Sequence, residues 1–246
     1  MLQRMAPTLE MAVIFNFGQP IPYWLGTERK AIRQMGNICI AGPLREMVSY
    51  EPGGGISMLT LPFINDGFYR FLCSREQPVG LDELQEEHVL RFSRNLEALW
   101  KKLAALPDMR ARVDLLNTYL PGILPPTDPQ AADLVKHMPA RHDTPLDPVK
   151  TIAGTAAISP RSVQLRFRRY AGYSPKELLR FLRFKQLLAS LLDQPAAEKV
   201  NWFDLIVRFG YHDQSHLNKD FRHFTGLSPT QFLRVKREDN FCISRN

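Results

Sequence analysis

Two stretches of this chain are near copies of each other. Phe167–Arg180 reads FRRYAGYSPKELLR and Phe221–Arg234 reads FRHFTGLSPTQFLR; both follow F-R-x-aromatic-x-G-x-S-P-x-x-x-L-R, with every matched position 54 residues apart. The match continues upstream, where Ile152 and Val163 fall on Ile206 and Leu217 at the same offset. A repeat of this kind means one supersecondary unit used twice in tandem.

The punctuation inside each copy is helical. A capping residue, Ser159 or Asp213, opens about 12 residues of helical apolar spacing, and Gly172 or Gly226 closes them in the position that favours a left-handed residue. Ser174-Pro175 and Ser228-Pro229 then supply an N-cap and a proline at the first helical position, so another helix begins at once. A shorter apolar helix precedes each capped one, over Pro148–Ala157 and Trp202–Phe209. Two helices joined so tightly make a helix-turn-helix, and the chain is expected to hold two.

The capped helices have distinct faces. In the first, Val163, Phe167 and Tyr170 point inward, leaving Arg161, Gln164, Leu165 and Arg168 outside; in the second, Leu217, Phe221 and Phe224 are inward, and Ser215, Asn218, Lys219 and Arg222 are outside, flanked by Gln214 and His216. The outer faces carry donors suited to base edges and phosphates. Between the units runs Pro175–Gln194, a Leu-rich helix without internal Gly or Pro. At 1.5 Å per residue it is about 30 Å long, close to the repeat of the B-DNA major groove.

Charge fits a polyanion partner and a solvated basic surface equally well. The chain carries a net +7, but residues 147–246 hold 17 Lys/Arg against 9 Asp/Glu, so the whole basic excess lies in the duplicated part. Double-stranded DNA is the expected partner. No run approaches the 18 apolar residues of a membrane span, and Met11–Phe15 is interrupted by Asn16 before it reaches signal-peptide length. The three cysteines, Cys39, Cys73 and Cys242, form no C-x-x-C pair and fit a reducing compartment, so a cytoplasmic location is expected.

Upstream of the repeat the character changes. Residues 8–75 read as short strands, at Met11–Phe17, Ile38–Ala41, Met47–Tyr50, Ser57–Pro62 and Gly67–Leu72, with turns at Gly18-Gln19-Pro20, Gly42-Pro43 and Pro52–Gly55. They predict a small antiparallel sandwich or barrel. Gly53–Gly55 lacks the Gly-Lys-Ser/Thr of a phosphate loop and reads as a hairpin turn. The first histidine is His88, so the barrel has no imidazole cluster for metal catalysis, and His212 and His216 have no third ligand nearby. No metal or cofactor is expected. Residues 81–120 change to helical spacing, divided at Pro107, and Pro121–Pro129 reads as a linker before a short helix at Gln130–Met138. The fold class is therefore α+β: a β-rich part over residues 1–80, a helical connector with a dimer interface as one option over 81–127, and an all-α tandem unit over 128–246.

These residues resemble the AraC/XylS class of bacterial transcription regulators. The likeness covers roughly residues 128–238 and is carried by Gly210-Tyr211-His212-Asp213-Gln214-Ser215-His216-Leu217, Phe221, Gly226-Leu227-Ser228-Pro229 and Phe232, and in the first unit by Ile152-Ala153, Ser159, Phe167 and Gly172-Tyr173-Ser174-Pro175. The resemblance implies base reading by Arg161, Gln164 and Leu165 from the first recognition helix, and by Gln214, Ser215, His216 and Lys219 from the second, with Arg168, Asn218 and Arg222 on the backbone or flanking it. Leu165 stands where the class often has a polar residue and suits a thymine methyl. Val13–Gly18 and Gly42-Pro43 are similar to the β-rich sensor domains of some members. The resemblance thus implies RNA polymerase as a partner and a small-molecule effector as an option, while the helical connector makes a homodimer a further option; effector, operator and sign of regulation stay open. Two rival readings remain: a ligand-binding or enzymatic barrel with a helical interaction module, for which no catalytic constellation speaks, and a duplicated unit that has lost DNA binding.

Overall fold

A computed structural model describes residues 2–42, 44, 46–63, 66–72, 86–126, 129–131, 148–194, 200–238 and 240–242. Its strands are β1 (Gln3–Met5), β2 (Met11–Asn16), β3 (Ile21–Leu25), β4 (Arg33–Met35), β5 (Ile38–Ala41), β6 (Val48–Tyr50), β7 (Met58–Phe63) and β8 (Asn240–Cys242). The helices are α1 (Gly67–Leu72), α2 (Glu86–Ala104), α3 (Met109–Ile123), α4 (Pro148–Thr155), α5 (Pro160–Ala171), α6 (Pro175–Asp193), α7 (Trp202–Arg208), α8 (Gln214–Thr225) and α9 (Pro229–Glu238). The architecture is α+β, with strands in the N-terminal part and the duplicated helices after it.

The strands form two sheets rather than one barrel. One has the order β4-β3-β6-β1-β8 and the other β5-β2-β7. All pairings are antiparallel except β1 with β8, which sets Gln3 beside Asn240 and Met5 beside Cys242 in parallel. The three-stranded sheet packs Val13, Phe15 and Leu59 against Leu96, Leu99 and Leu103 of α2 and Leu116 of α3. Polar ties hold the same layer: Trp100 Nε1 donates to the Asn16 carbonyl at 2.9 Å, and the Arg112 guanidinium lies 3.9 Å from the Phe17 ring centre. The amphipathic faces of α2 and α3 are thus spent on this sheet.

Three sequence expectations need correction here. Gly67–Leu72 is a helix, not a strand, although its aromatic residues favour strands. It turns Phe68 toward the sheet core and Tyr69 toward the helical core, and the Arg70 N–H closes a helical bond to the Asp66 carbonyl. Gly53–Gly55 is no hairpin, because β6 and β7 belong to different sheets. Nor does the linker begin at Pro121: α3 runs through it to Ile123, since a proline near the helix end forfeits only one bond, and the Leu124 N–H still reaches the Leu120 carbonyl. Strands β1, β3, β4 and β8 were not expected. Most of the short helix expected at Gln130–Met138 lies outside the described residues.

The second core is helical and recruits residues from the other half of the chain. Phe167, Phe184, Phe221 and Phe232 are fully buried in it, and Ala6, Leu9, Met47 and Tyr69 join them. The Tyr69 ring meets Tyr170 of α5 edge-on at 4.9 Å, and Lys185 of α6 pairs with Glu10 at 3.2 Å. Burial, and then the Glu10 charge, pushes the Tyr173 phenol up to about 12.

Local capping explains where the repeated helices start. In α6 the Ser174 hydroxyl accepts from the Glu177 N–H at 3.2 Å while Glu177 Oε2 accepts from the Ser174 N–H at 2.8 Å. The second copy builds the same reciprocal box from Ser228 and Gln231, at 3.3 and 2.9 Å. Ser174→Ala is therefore expected to cost about 1 kcal/mol, read as a lower urea midpoint at unchanged slope.

Candidate nucleic-acid interface

Each helix-turn-helix is set by its turn and its caps. The turn before α5 places Ala157 at φ 51°, and the turn before α8 places Gly210 at φ 65°. Helix α5 is opened by Ser159, whose hydroxyl accepts from the Ser162 N–H at 3.1 Å, and closed by Gly172 at φ 75°. Helix α8 is opened by Asp213, whose Oδ1 accepts from the His216 N–H at 2.8 Å, and closed by Gly226 at φ 73°. That N–H, followed by the His212 side chain, holds the exposed Asp213 carboxyl below its ordinary range. The cap acceptor is consequently a full carboxylate at neutral pH.

These boundaries fix the faces. In α5, Val163, Phe167 and Tyr170 are buried, and Arg161, Gln164, Leu165 and Arg168 are exposed, Leu165 at 53%. In α8, Leu217, Phe221 and Phe224 are buried, Gln214, Ser215, Lys219 and Arg222 are exposed, and Asn218 is half-buried. His216 is half-buried as well, because its ring lies edge-on to Tyr211 at 5.1 Å. His212 pairs through Nδ1 with Asp213 Oδ2 at 3.1 Å, and its backbone N–H points at His216 Nδ1 at 3.5 Å, so both imidazoles serve the turn and cap. Among the described residues no three metal-ligating side chains come together.

The linker helix α6 is 19 residues long, about 28 Å at 1.5 Å per residue, and it buries Leu178, Phe181, Phe184, Leu187, Leu188 and Leu191. Phe184 meets Phe221 at 5.2 Å and Phe224 at 4.7 Å, so the second recognition helix sits directly on it. Polar contacts add to this. Arg180 Nε donates to Asp220 Oδ1 at 2.7 Å, and Arg183 Nη1 donates to the Gly210 carbonyl at 3.1 Å. At the far end Lys236 of α9 donates to the carbonyls of Leu191 and Gln194, capping the C-terminus of α6.

Sequence reasoning missed the Arg180–Asp220 contact. One signal was available: the repeat partner of Asp220 is Arg166, a charge reversal inside an otherwise matching pattern. It also missed two exposed apolar residues on α7, Phe203 at 72% and Val207 at 65%.

Two capped, glycine-terminated helices with polar outer faces, carried on one linker helix, define a tandem helix-turn-helix domain. A family model described as a helix-turn-helix domain matches residues 152–235. This is an AraC-type domain, and the chain carries both of its units. A probable thc operon regulatory protein of Rhodococcus erythropolis is 29% identical over 134 residues, which is 54% of this chain and 37% of that protein. The chain thus spans little more than a third of that curated relative. Among solved structures, ToxT from Vibrio cholerae is similar at a TM-score of 0.46 and 10% identity, covering 96% of this chain and 97% of the other; a form bound to an unsaturated fatty acid gives 0.41 at 10%, covering 94% and 93%. The family and the relative belong with transcription regulators rather than enzymes. No described helix is long and apolar enough to cross a membrane.

Proposed function

We propose that the chain is a sequence-specific, cytoplasmic regulator of transcription that binds double-stranded DNA through α5 and α8. The reading is carried by the pair of outward polar faces on one linker helix. Arg161, Gln164 and Leu165 then read bases from α5, and Gln214, Ser215, His216 and Lys219 from α8, while Arg168, Asn218 and Arg222 take phosphates. His216 has the least reach of these, because its ring is packed on Tyr211.

In this reading residues 1–80 receive an effector, residues 81–127 connect, and residues 128–246 bind DNA and meet RNA polymerase. The connection that supports it is the contact between the halves: Tyr69 on Tyr170 of α5 and Glu10 on Lys185 of α6 would pass a change in the sheets to the first unit. Dimerisation through α2 and α3 has less support, since the sheet already occupies their buried faces.

Selection of bound sequences from a random DNA pool by the whole chain, at stated salt, tests the proposal. The expected result is a motif of two boxes about one helical turn apart. If no sequence is enriched above the pool, the DNA-reading role of both helices is lost.

A further inference from the structure

The two units are joined to α6 in different ways. The first follows directly, since Gly172-Tyr173-Ser174 is all that separates α5 from α6. That short turn, with Gly172 at φ 75°, restricts the angle between them. The second begins only at α7, with residues 194–201 between, and its α8 is packed on α6 through Phe184 and Phe221. Its orientation depends on what α8 touches.

The apolar part of that contact is strong but weakly directional. Phe181 and Phe184 of α6 lie against Phe224 and Phe221, and dispersion and hydrophobic burial tolerate a small rotation or slide. A short hydrogen bond between charged groups does not, because both its distance and its angle are narrow. Asp220 is buried at 1% exposure, so water cannot replace its partner, and Arg180 reaches it at 2.7 Å. One helical turn further along α6, Arg183 holds the Gly210 carbonyl while its guanidinium lies 5.3 Å from the Tyr211 ring centre. Tyr211 Oη is buried close to Asp220, and burial, then the Asp220 charge, raises its pKa. The clasp thus grips the second unit at two places, the middle of α8 and the turn before it. In the first unit the position of Asp220 is held by Arg166, which offers an arginine no acceptor.

Resting on the DNA-binding reading, we propose that Asp220, Arg180 and Arg183 are positioning residues that set the base-pair spacing between the two boxes of the operator. They touch no base. They fix where α8 stands relative to α5, and one base pair of error moves a box about 3.4 Å along its strand, beyond the tolerance of a hydrogen bond.

The test uses the whole chain and operators built from the selected motif, with the distance between boxes changed one base pair at a time. Wild type is expected to lose about tenfold in affinity one base pair from its optimum. Asp220→Asn, which keeps the shape and removes the charge, is expected to reduce the difference between adjacent spacings to about threefold, with affinity for DNA carrying only the first box unchanged. Arg183→Lys, which retains a donor for the Gly210 carbonyl, should keep most of the discrimination. Arg180→Gln repeats the measurement on a more exposed residue should Asp220→Asn fail to fold, as judged by circular dichroism. A variant whose affinity falls by one common factor at every spacing, or does not change, overturns the clasp and leaves DNA binding intact. A wild-type chain that binds no operator overturns both readings.

Discussion

Phe221→Ala is expected to lower the free energy of unfolding by about 4 kcal/mol, within the range for deleting a buried phenylalanine. The ring is fully buried and sits at the junction of four elements, with Phe184, Trp202 and Phe232 at 5.2, 6.2 and 5.6 Å. Those neighbours come from α6, α7 and α9, so none can collapse into the hole without dragging its own helix. A domain of this kind is stable by about 5–15 kcal/mol, so one such loss removes a large share. Urea unfolding at 25 °C measures it. Phe221→Leu, which leaves a smaller hole, is expected to cost less than half as much. A loss below about 1.5 kcal/mol for the alanine variant would mean that the aromatic cluster repacks, and that the second unit tolerates more movement on α6 than its geometry implies.

Gln214→Ala is expected to weaken cognate binding by about 1–3 kcal/mol while leaving nonspecific binding nearly unchanged. Gln214 is exposed at the first position of α8, where a recognition helix enters the groove, and its amide offers both a donor and an acceptor. Arg222, exposed in the last turn of the same helix, is the contrasting case. Arg222→Ala is expected to weaken both kinds of binding by a similar factor and to reduce the salt slope by about one charge, as loss of a single phosphate contact does. Titrations of each variant against cognate and scrambled DNA at several salt concentrations separate the two roles. Equal losses on both DNAs for Gln214→Ala would assign that residue to the backbone and shift base reading to its neighbours.

The helical half was legible because its determinants are local. Ser159, Asp213, Ser174 and Ser228 cap within three residues of themselves, and Gly172 and Gly226 take up their left-handed backbone whatever surrounds them. Periodicity then sorted Phe167 and Phe221 inward and Arg168 and Arg222 outward, as the burial now reads. The strand half depends on partners that spacing cannot name. Strands β1, β4 and β8 have only three residues each, too few to show alternation, and β8 is distant in the chain from the β1 it joins. Gly67–Leu72 misled because aromatic residues suit strands, while its fate was decided by two cores that claim Phe68 and Tyr69 separately. The Arg180–Asp220 contact also escaped: an acidic residue on a basic helix reads as surface until its burial is known.

The pairing of β1 with β8 bears on how the chain is made. Asn240 is translated 237 residues after Gln3, so the parallel edge of the larger sheet stays open while the residues between them are made. At typical elongation rates of about 5–20 residues per second, that interval is roughly 10–50 s. Ala6, Leu9 and Met47 wait similarly for the helical core they enter. The nascent strands therefore have an unpaired edge and apolar side chains to shelter until β8 and the helical core have been made. A ribosome that stalls within the second unit releases a chain whose first sheet is incomplete, a substrate for chaperones and proteases rather than a half-working protein.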